Sequence, residues 1–348
     1  MEVYNYLLVF LFIMCFFSFN HRRSQVVIYL ISTILICIAS LKSPTVGSDS
    51  LNYYYAFSSP RTYVLESYFS GLQKSWYYAN IFLNSIVNYD VFLAICYSIS
   101  IAGIGYLIYK ESQNYAFSFL LYFLLYFYCS SLNIMRQYIA IGIVCVGLCW
   151  LRQDNKVNFI YSIVIGFVFH YSTLLLLPFM YINKIRINIK SFYIYFLSVI
   201  SFVIGFGFNS MLSPVIANLG TFFSIVGRDN SAYVDSWGGE RNILTNLIVN
   251  IAFIVSYYLA KNKDNFYLFL WFVFIVFNNI FGAFGDGNRF FLYFQIAGMI
   301  ISIPDVLYEQ RKKIHKYCYL IFILTYSFGV WFVSTSNNLS EVIPYKFR

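Results

Sequence analysis

The sequence predicts an all-α, polytopic integral membrane fold, and three observations predict it. Of 348 residues, 60% are hydrophobic and only 11% are charged, with a mean hydropathy of +0.68; a soluble chain of this length carries about 25% charged residues. The apolar residues fall in runs of about 16 to 20, the length of a membrane helix. The 23 Lys and Arg, which give a net charge of +9, cluster in the short stretches between those runs. There they read as topology signals. No aromatic–basic motif for RNA or DNA occurs, so nucleic acid is excluded as a partner.

Taken in order, the first run ends in His21-Arg22-Arg23. A secretory signal carries its positive charge before the apolar stretch. Here the charge follows, so 3–19 reads as a retained first span with its N-terminus outside. Further spans are expected at 25–41, 90–109, 115–131, 134–150, 191–209, 243–260, 266–283, 289–307 and 317–333. That makes about ten transmembrane helices in a single transmembrane domain of 1–348, with outer loops 42–88 and 210–242. Within the first loop, 64–86 has a weak amphipathic pattern that suits an interfacial helix, with Glu66 near its start.

The positive-inside rule places Lys110 and "LRQDNK" (151–156) inside, and the "CSSLN" turn before Arg136 outside. Val157–Tyr181 read as one span would put "NKIRINIK" (183–190) and "EQRKKIHK" (309–316) outside. A re-entrant or short-helix hairpin, with "HYS" (170–172) at its tip, returns every basic loop to the cytoplasm. A single long helix burying His170 is the alternative. The unexplained polar residues then gather on the outer side. The seven cysteines lie in or beside apolar runs without a CxxC and read as small buried hydrophobes.

Several outer-side residues carry chemistry. Arg136 opens a helix within apolar sequence; it either snorkels to a lipid phosphate or clamps a phosphate or pyrophosphate with its guanidinium fork. Gln137 lies beside it. Arg289 repeats the arrangement at the outer end of an aromatic-rich span, after Asp286, which can cap that helix. Asp49, in Gly47-Ser48-Asp49-Ser50 ahead of Tyr53, is either an Asx-turn or helix cap or a carboxylate that binds or polarises a sugar hydroxyl. His170 is either a packing residue or, at a hairpin tip, a proton-transfer group. The long loop holds Tyr233, Glu240 and Arg241 among solvated charges of mixed sign.

"VGSDSLNYYYAF", "NIMRQYIAIGI", "FHYSTLLLLP" and "NRFFLYF", in that order and spacing, resemble the EpsG-like polysaccharide polymerases, which belong with the Wzy-type O-antigen polymerases of bacterial inner membranes. The likeness covers most of the chain as architecture and about forty residues as motif, the Met-Arg-Gln stretch followed by Phe-His-x-Ser being the most specific. The resemblance implies a multi-pass, metal-independent membrane glycosyltransferase without a cofactor. Its donor is an undecaprenyl-pyrophosphate-linked oligosaccharide and its acceptor a hydroxyl of a second lipid-linked repeat unit, on the periplasmic face. Membrane lipid and a chain-length regulator protein are the other partners implied. Without a metal, the leaving pyrophosphate needs cationic stabilisation, for which Arg136, Arg289 and Arg241 are placed. His170, Asp49 and Glu240 are the candidates for the base, and Gln137, Tyr233 and Asp286 for further substrate contacts.

Competing readings are an O-antigen ligase using the same donor, a flippase or exporter of lipid-linked sugars, and a membrane O-acyltransferase. A transporter needs polar residues at several depths, whereas these collect on one side. An acyltransferase draws its donor from the cytoplasm, where this chain offers short basic loops.

Overall fold

At membrane depth no water serves the backbone, so its polar groups must pair within helices, and the apolar runs of this chain do so. The computed structural model describes residues 1–18, 21–60, 74–182, 191–207, 243–263, 265–282 and 287–348. Its first helices are α1 (Glu2–Phe17), α2 (Gln25–Ser40), α3 (Ser50–Ser58), α4 (Lys74–Asn84) and α5 (Tyr89–Glu111). Next come α6 (Tyr115–Leu124), α7 (Phe127–Asn133), α8 (Met135–Arg152) and α9 (Lys156–Phe169), then a 3-10 segment (Tyr171–Leu176) and α10 (Phe179–Ile182). The chain closes with α11 (Ser191–Gly207), α12 (Ile243–Leu259), α13 (Phe266–Phe281), α14 (Gly287–Phe290), α15 (Leu292–Glu309) and α16 (Lys313–Ser336).

Each expected span falls on helix, but length and composition support fewer crossings than ten. Among the described residues, three helices, α5, α8 and α16, are long and apolar enough to cross a membrane, and a fourth crossing results if the bent pair α6–α7 counts as one. The shorter apolar helices include α1, whose 16 residues reach about 24 Å, less than the ~30 Å hydrocarbon core.

Every residue of α6 is buried, as are most of α7 and α8. Helices α1, α2, α5, α9 and α15 pack around this centre. Large apolar chains such as Phe16, Phe192 and Phe332 point outward. In a bilayer, helices associate through close packing, which small residues permit. A Cβ on Gly103 would lie 2.2 Å from the Gly142 carbonyl oxygen, so α5 and α8 meet backbone to backbone.

Two local features depart from the sequence expectation, and a third fits the hairpin reading. "CSSLN" is not a turn but the buried end of α7. The bend comes earlier, at Tyr126 in the left-handed region (φ 67°), where α6 and α7 meet at 59°. Cys37 and Cys318 are exposed on outward helix faces, although Cys96, Cys129, Cys145 and Cys149 are buried as expected. The 157–181 stretch is not one helix: α9 ends at Phe169, His170 is extended, and the chain doubles back so that the Thr173 hydroxyl donates to the Ile163 carbonyl at 3.3 Å.

Two polar systems tie distant parts together. Asn250 and Asn279 exchange amide hydrogen bonds of 2.8 and 2.9 Å, Asn279 also donates to Ser201 Oγ at 3.0 Å, and Asn278 donates to Asn246 at 2.9 Å. This network joins α11, α12 and α13. At the other end of the sequence, residues 340–348 run beside 41–48. Gly47 N–H donates to Glu341 O at 2.9 Å, Ser43 N–H to Lys346 O at 2.8 Å and Arg348 N–H to Leu41 O at 3.0 Å.

Candidate functional site

Arg136 is the second residue of α8, where a cation opposes the helix dipole. Helix stability does not explain it there. Its guanidinium donates to the Phe169 carbonyl at 3.1 Å and lies over the Trp76 indole, 5.5 Å from the ring centroid. Trp76 is buried, with the rings of Tyr53, Phe92 and Phe169 at 6.3, 5.9 and 6.2 Å. The Ser75 hydroxyl donates to Val168 O at 2.7 Å and so fixes the start of α4 on the end of α9. The aromatic platform and the carbonyl hold the fork in place.

The Asp49 turn is seated on the end of α7. Gly47 is in the left-handed region (φ +100°), and a Cβ there would come within 2.9 Å of Ser50 Oγ and 3.1 Å of the Leu132–Asn133 backbone. Glycine alone satisfies both demands. The Asp49 backbone N–H donates to Asn133 Oδ1 at 2.8 Å, and the Ser48 hydroxyl donates to the same oxygen at 3.2 Å. Asp49 occupies the N-cap position of α3, yet its side chain makes no cap hydrogen bond. Behind the turn, Lys42 Nζ donates to Val46 O at 2.8 Å and to the Ser50 hydroxyl. Burial pulls its amine down to about 7.

One turn along α3, Tyr53 reports how these groups are grouped. Burial pushes its phenol up to about 12, and the Asp49 charge adds to the rise. Arg136 and Arg289 pull the other way, Arg136 through its backbone as well as its charge. The phenol is therefore a neutral donor at physiological pH, and Asp49, Arg136 and Arg289 share its electrostatic neighbourhood.

Gln137 brings Arg289 into that neighbourhood. Its buried side-chain amide donates to the Arg289 carbonyl oxygen, so this donor positions a neighbour. Next to Arg289, the Phe290 ring lies 5.9 Å from Tyr171, which stacks on His170 at 4.9 Å and 16°. His170 Nδ1 lies 2.6 Å from Ser172 Oγ, and that hydroxyl donates to Tyr293 Oη at 3.1 Å. A serine hydroxyl committed to Tyr293 can accept Nδ1–H, which leaves the lone pair on Nε2. The Ser172 N–H favours the opposite tautomer, but at 3.4 Å from Nδ1 it is the weaker contact.

Arg136 and Gln137, Arg289, His170 and Asp49 thus come from four separate segments into one cluster, with Gln137 serving its architecture. Asp286, Tyr233, Glu240 and Arg241 lie outside the described residues, as does Glu66. Trp76 and Tyr293 carry no expectation from sequence, although Trp76 is one of only five tryptophans, a sparse signal within an aromatic-rich chain. Among the described residues no group of three His, Cys, Asp or Glu has the arrangement of a metal site. Two guanidiniums beside one carboxylate and a neutral phenol suit a phosphate-bearing ligand, and the adjacent imidazole suits proton transfer.

The model of the EpsG family matches residues 25–347, nearly the whole chain, and the chain belongs to that family. Neither a curated protein nor a solved structure matches it.

Proposed function

We propose that this member of the EpsG family polymerises lipid-linked oligosaccharide repeat units at the periplasmic face of a bacterial inner membrane. The growing glycan passes from undecaprenyl pyrophosphate to a hydroxyl of a second lipid-linked unit. The acceptor oxygen attacks the anomeric carbon, the bond to the pyrophosphate oxygen breaks, and the acceptor proton passes to His170. Arg136 and Arg289 take up the negative charge that develops on the leaving pyrophosphate; fixed donors of this kind typically contribute about 10² to 10³-fold. Asp49 and the Tyr53 phenol hold sugar hydroxyls. The observation that carries the reading is the convergence of Arg136, Arg289 and His170, beside Trp76, Gln137 and Ser172, within an otherwise apolar chain.

The reading also sets a topology, with the N-terminus outside, loops 42–88 and 210–242 periplasmic, and 183–190 cytoplasmic. A cysteine placed at Asn188 in a cysteine-free background resists an impermeant reagent in intact spheroplasts if this holds, and labelling there overturns it. The reaction itself is tested by deleting the gene and separating surface polysaccharide on a gel. Loss of a polymerase leaves a single capped repeat unit. Loss of a ligase leaves none, and loss of an acyltransferase leaves full ladders; either of the last two patterns overturns the proposal.

A further inference from the structure

A second basic site lies at the far end of the helix bundle. Helix α5 begins at Tyr89, whose ring packs on Phe57 at 5.6 Å and on Phe92, the neighbour of Trp76. It ends at Glu111. Its 23 residues span about 34 Å, a little more than a bilayer core. Just past that end, an open cavity of about 630 Å³ is lined by His21, Arg22, Arg23, Ser24 and Gln113. The cavity and the Arg136 cluster therefore lie at opposite ends of a helix that crosses the membrane.

The cavity is built rather than merely basic. The Arg22 guanidinium lies over the Tyr308 ring at 4.2 Å, and Arg23 Nε donates to the Ser112 carbonyl at 3.1 Å. The Arg22 backbone carbonyl accepts from Tyr115 N–H at 3.0 Å, which pins the loop itself. Lys316 lies over the same Tyr308 ring at 4.5 Å, so two cations share one platform. Glu111 and Asp305 are within electrostatic reach of Arg23, yet among the described residues none of His21, Arg22 and Arg23 forms an ion pair. Ser24 caps α2 without a side-chain cap bond, and the first turn of α2 contains no acid. Cations held this close together repel one another unless an anion joins them.

We propose that this cavity binds the phosphate of an anionic membrane-lipid headgroup on the face opposite the Arg136 cluster. Two fixed guanidiniums match a phosphate's oxygens, and the cavity opens at the depth where headgroup phosphates lie. A lipid seated there bridges the 21–24 loop and the α5–α6 connection, and Arg22 ties that loop to Tyr308 of α15. The inference is independent of the reaction proposed for the other face.

The test uses the full-length protein, purified in detergent, delipidated, and given phosphatidylglycerol or phosphatidylcholine before native mass spectrometry. Wild type is expected to retain phosphatidylglycerol over phosphatidylcholine, and Arg22→Gln/Arg23→Gln to lose about fivefold of that preference for each arginine. Retention of both lipids alike, or a variant that folds with an unchanged melting temperature and an unchanged preference, overturns the proposal. Because removing these charges also disturbs insertion, a second measurement uses wild type alone. Photoactivatable phosphatidylglycerol is expected to crosslink to 21–24 and Gln113, and crosslinks spread evenly over the other basic loops overturn it. Displacement of the lipid by inorganic phosphate at millimolar concentration, or preferential binding of an octaglutamate peptide, assigns the cavity to a free anion or a protein segment and likewise overturns the lipid.

Discussion

Two groups of polar side chains sit inside this apolar chain, and they are built on opposite principles. In the asparagine network of α11, α12 and α13, each amide finds another amide, a serine or a carbonyl. Asn250 and Asn279 each donate to the other. The group is neutral. In the Arg136 cluster, the guanidinium meets a carbonyl and an indole face, the Gln137 amide is directed at the Arg289 backbone, and two arginines and one carboxylate act on Tyr53. That group gathers charged side chains around an aromatic platform. The difference separates glue from site: a neutral network of amides stabilises helices, whereas one that gathers arginines, a carboxylate and an imidazole suits a ligand.

The comparison breaks first, if it breaks, at His170. Both His170→Ala and His170→Gln are expected to insert at wild-type levels and to lose about 10² to 10⁴-fold in polymerisation rate, because glutamine keeps hydrogen bonding without basicity. A His170→Gln protein that makes full-length polymer removes His170 as the base and shifts that role to Asp49 or Glu240. Arg136→Ala comes next, with a loss of about 10² to 10³-fold. Arg136→Lys is expected to fall nearly as far, since a point charge cannot reproduce the fork over Trp76; equal activity of Arg136→Lys and wild type in a polymer-ladder assay means that charge alone mattered.

Smaller effects sharpen the contrast. Gln137→Leu removes the bond that holds Arg289, for an expected loss of about tenfold in rate with unchanged protein level, the equivalent of about 1.4 kcal/mol. A rate unchanged in that variant means that the Arg289 turn holds itself. Asn279→Leu is expected to do the reverse. It lowers stability to unfolding by about 1 kcal/mol, within the range of buried polar bonds between membrane helices, and leaves the rate per folded molecule within twofold. A large loss of rate at full stability in Asn279→Leu places the asparagine network in the site.

Much of this fold is legible in the sequence because run length is a strong signal at membrane depth: each expected span lies on helix. The reversal at His170 was legible from charge bookkeeping, since Lys184, Arg186 and Lys190 make one long helix unfavourable. The bend at Tyr126 was not, because it requires a left-handed tyrosine that no propensity anticipates. In the site, Arg136 and His170 stand out as titratable groups in apolar sequence. Trp76 and Tyr293 do not, since a chain with 39 Phe and 34 Tyr hides a working ring among packing ones. The task of Gln137 is invisible for another reason: its partner is a backbone carbonyl 152 residues away, and backbone atoms carry no sequence signal.

The pairing of 41–48 with 340–348 bears on how the protein is made. The turn that carries Asp49 emerges early from the ribosome, but its Gly47 and Ser43 amides wait for the carbonyls of Glu341 and Lys346. Those carbonyls reach it only after α16 has entered the membrane. A chain inserted as far as α15 has Arg136 and His170 in hand and an Asp49 turn seated on α7 but lacking its bonds to Glu341 and Lys346. Completion of the Asp49 turn is thereby placed late in biogenesis, after the other members of the Arg136 cluster are already in the chain.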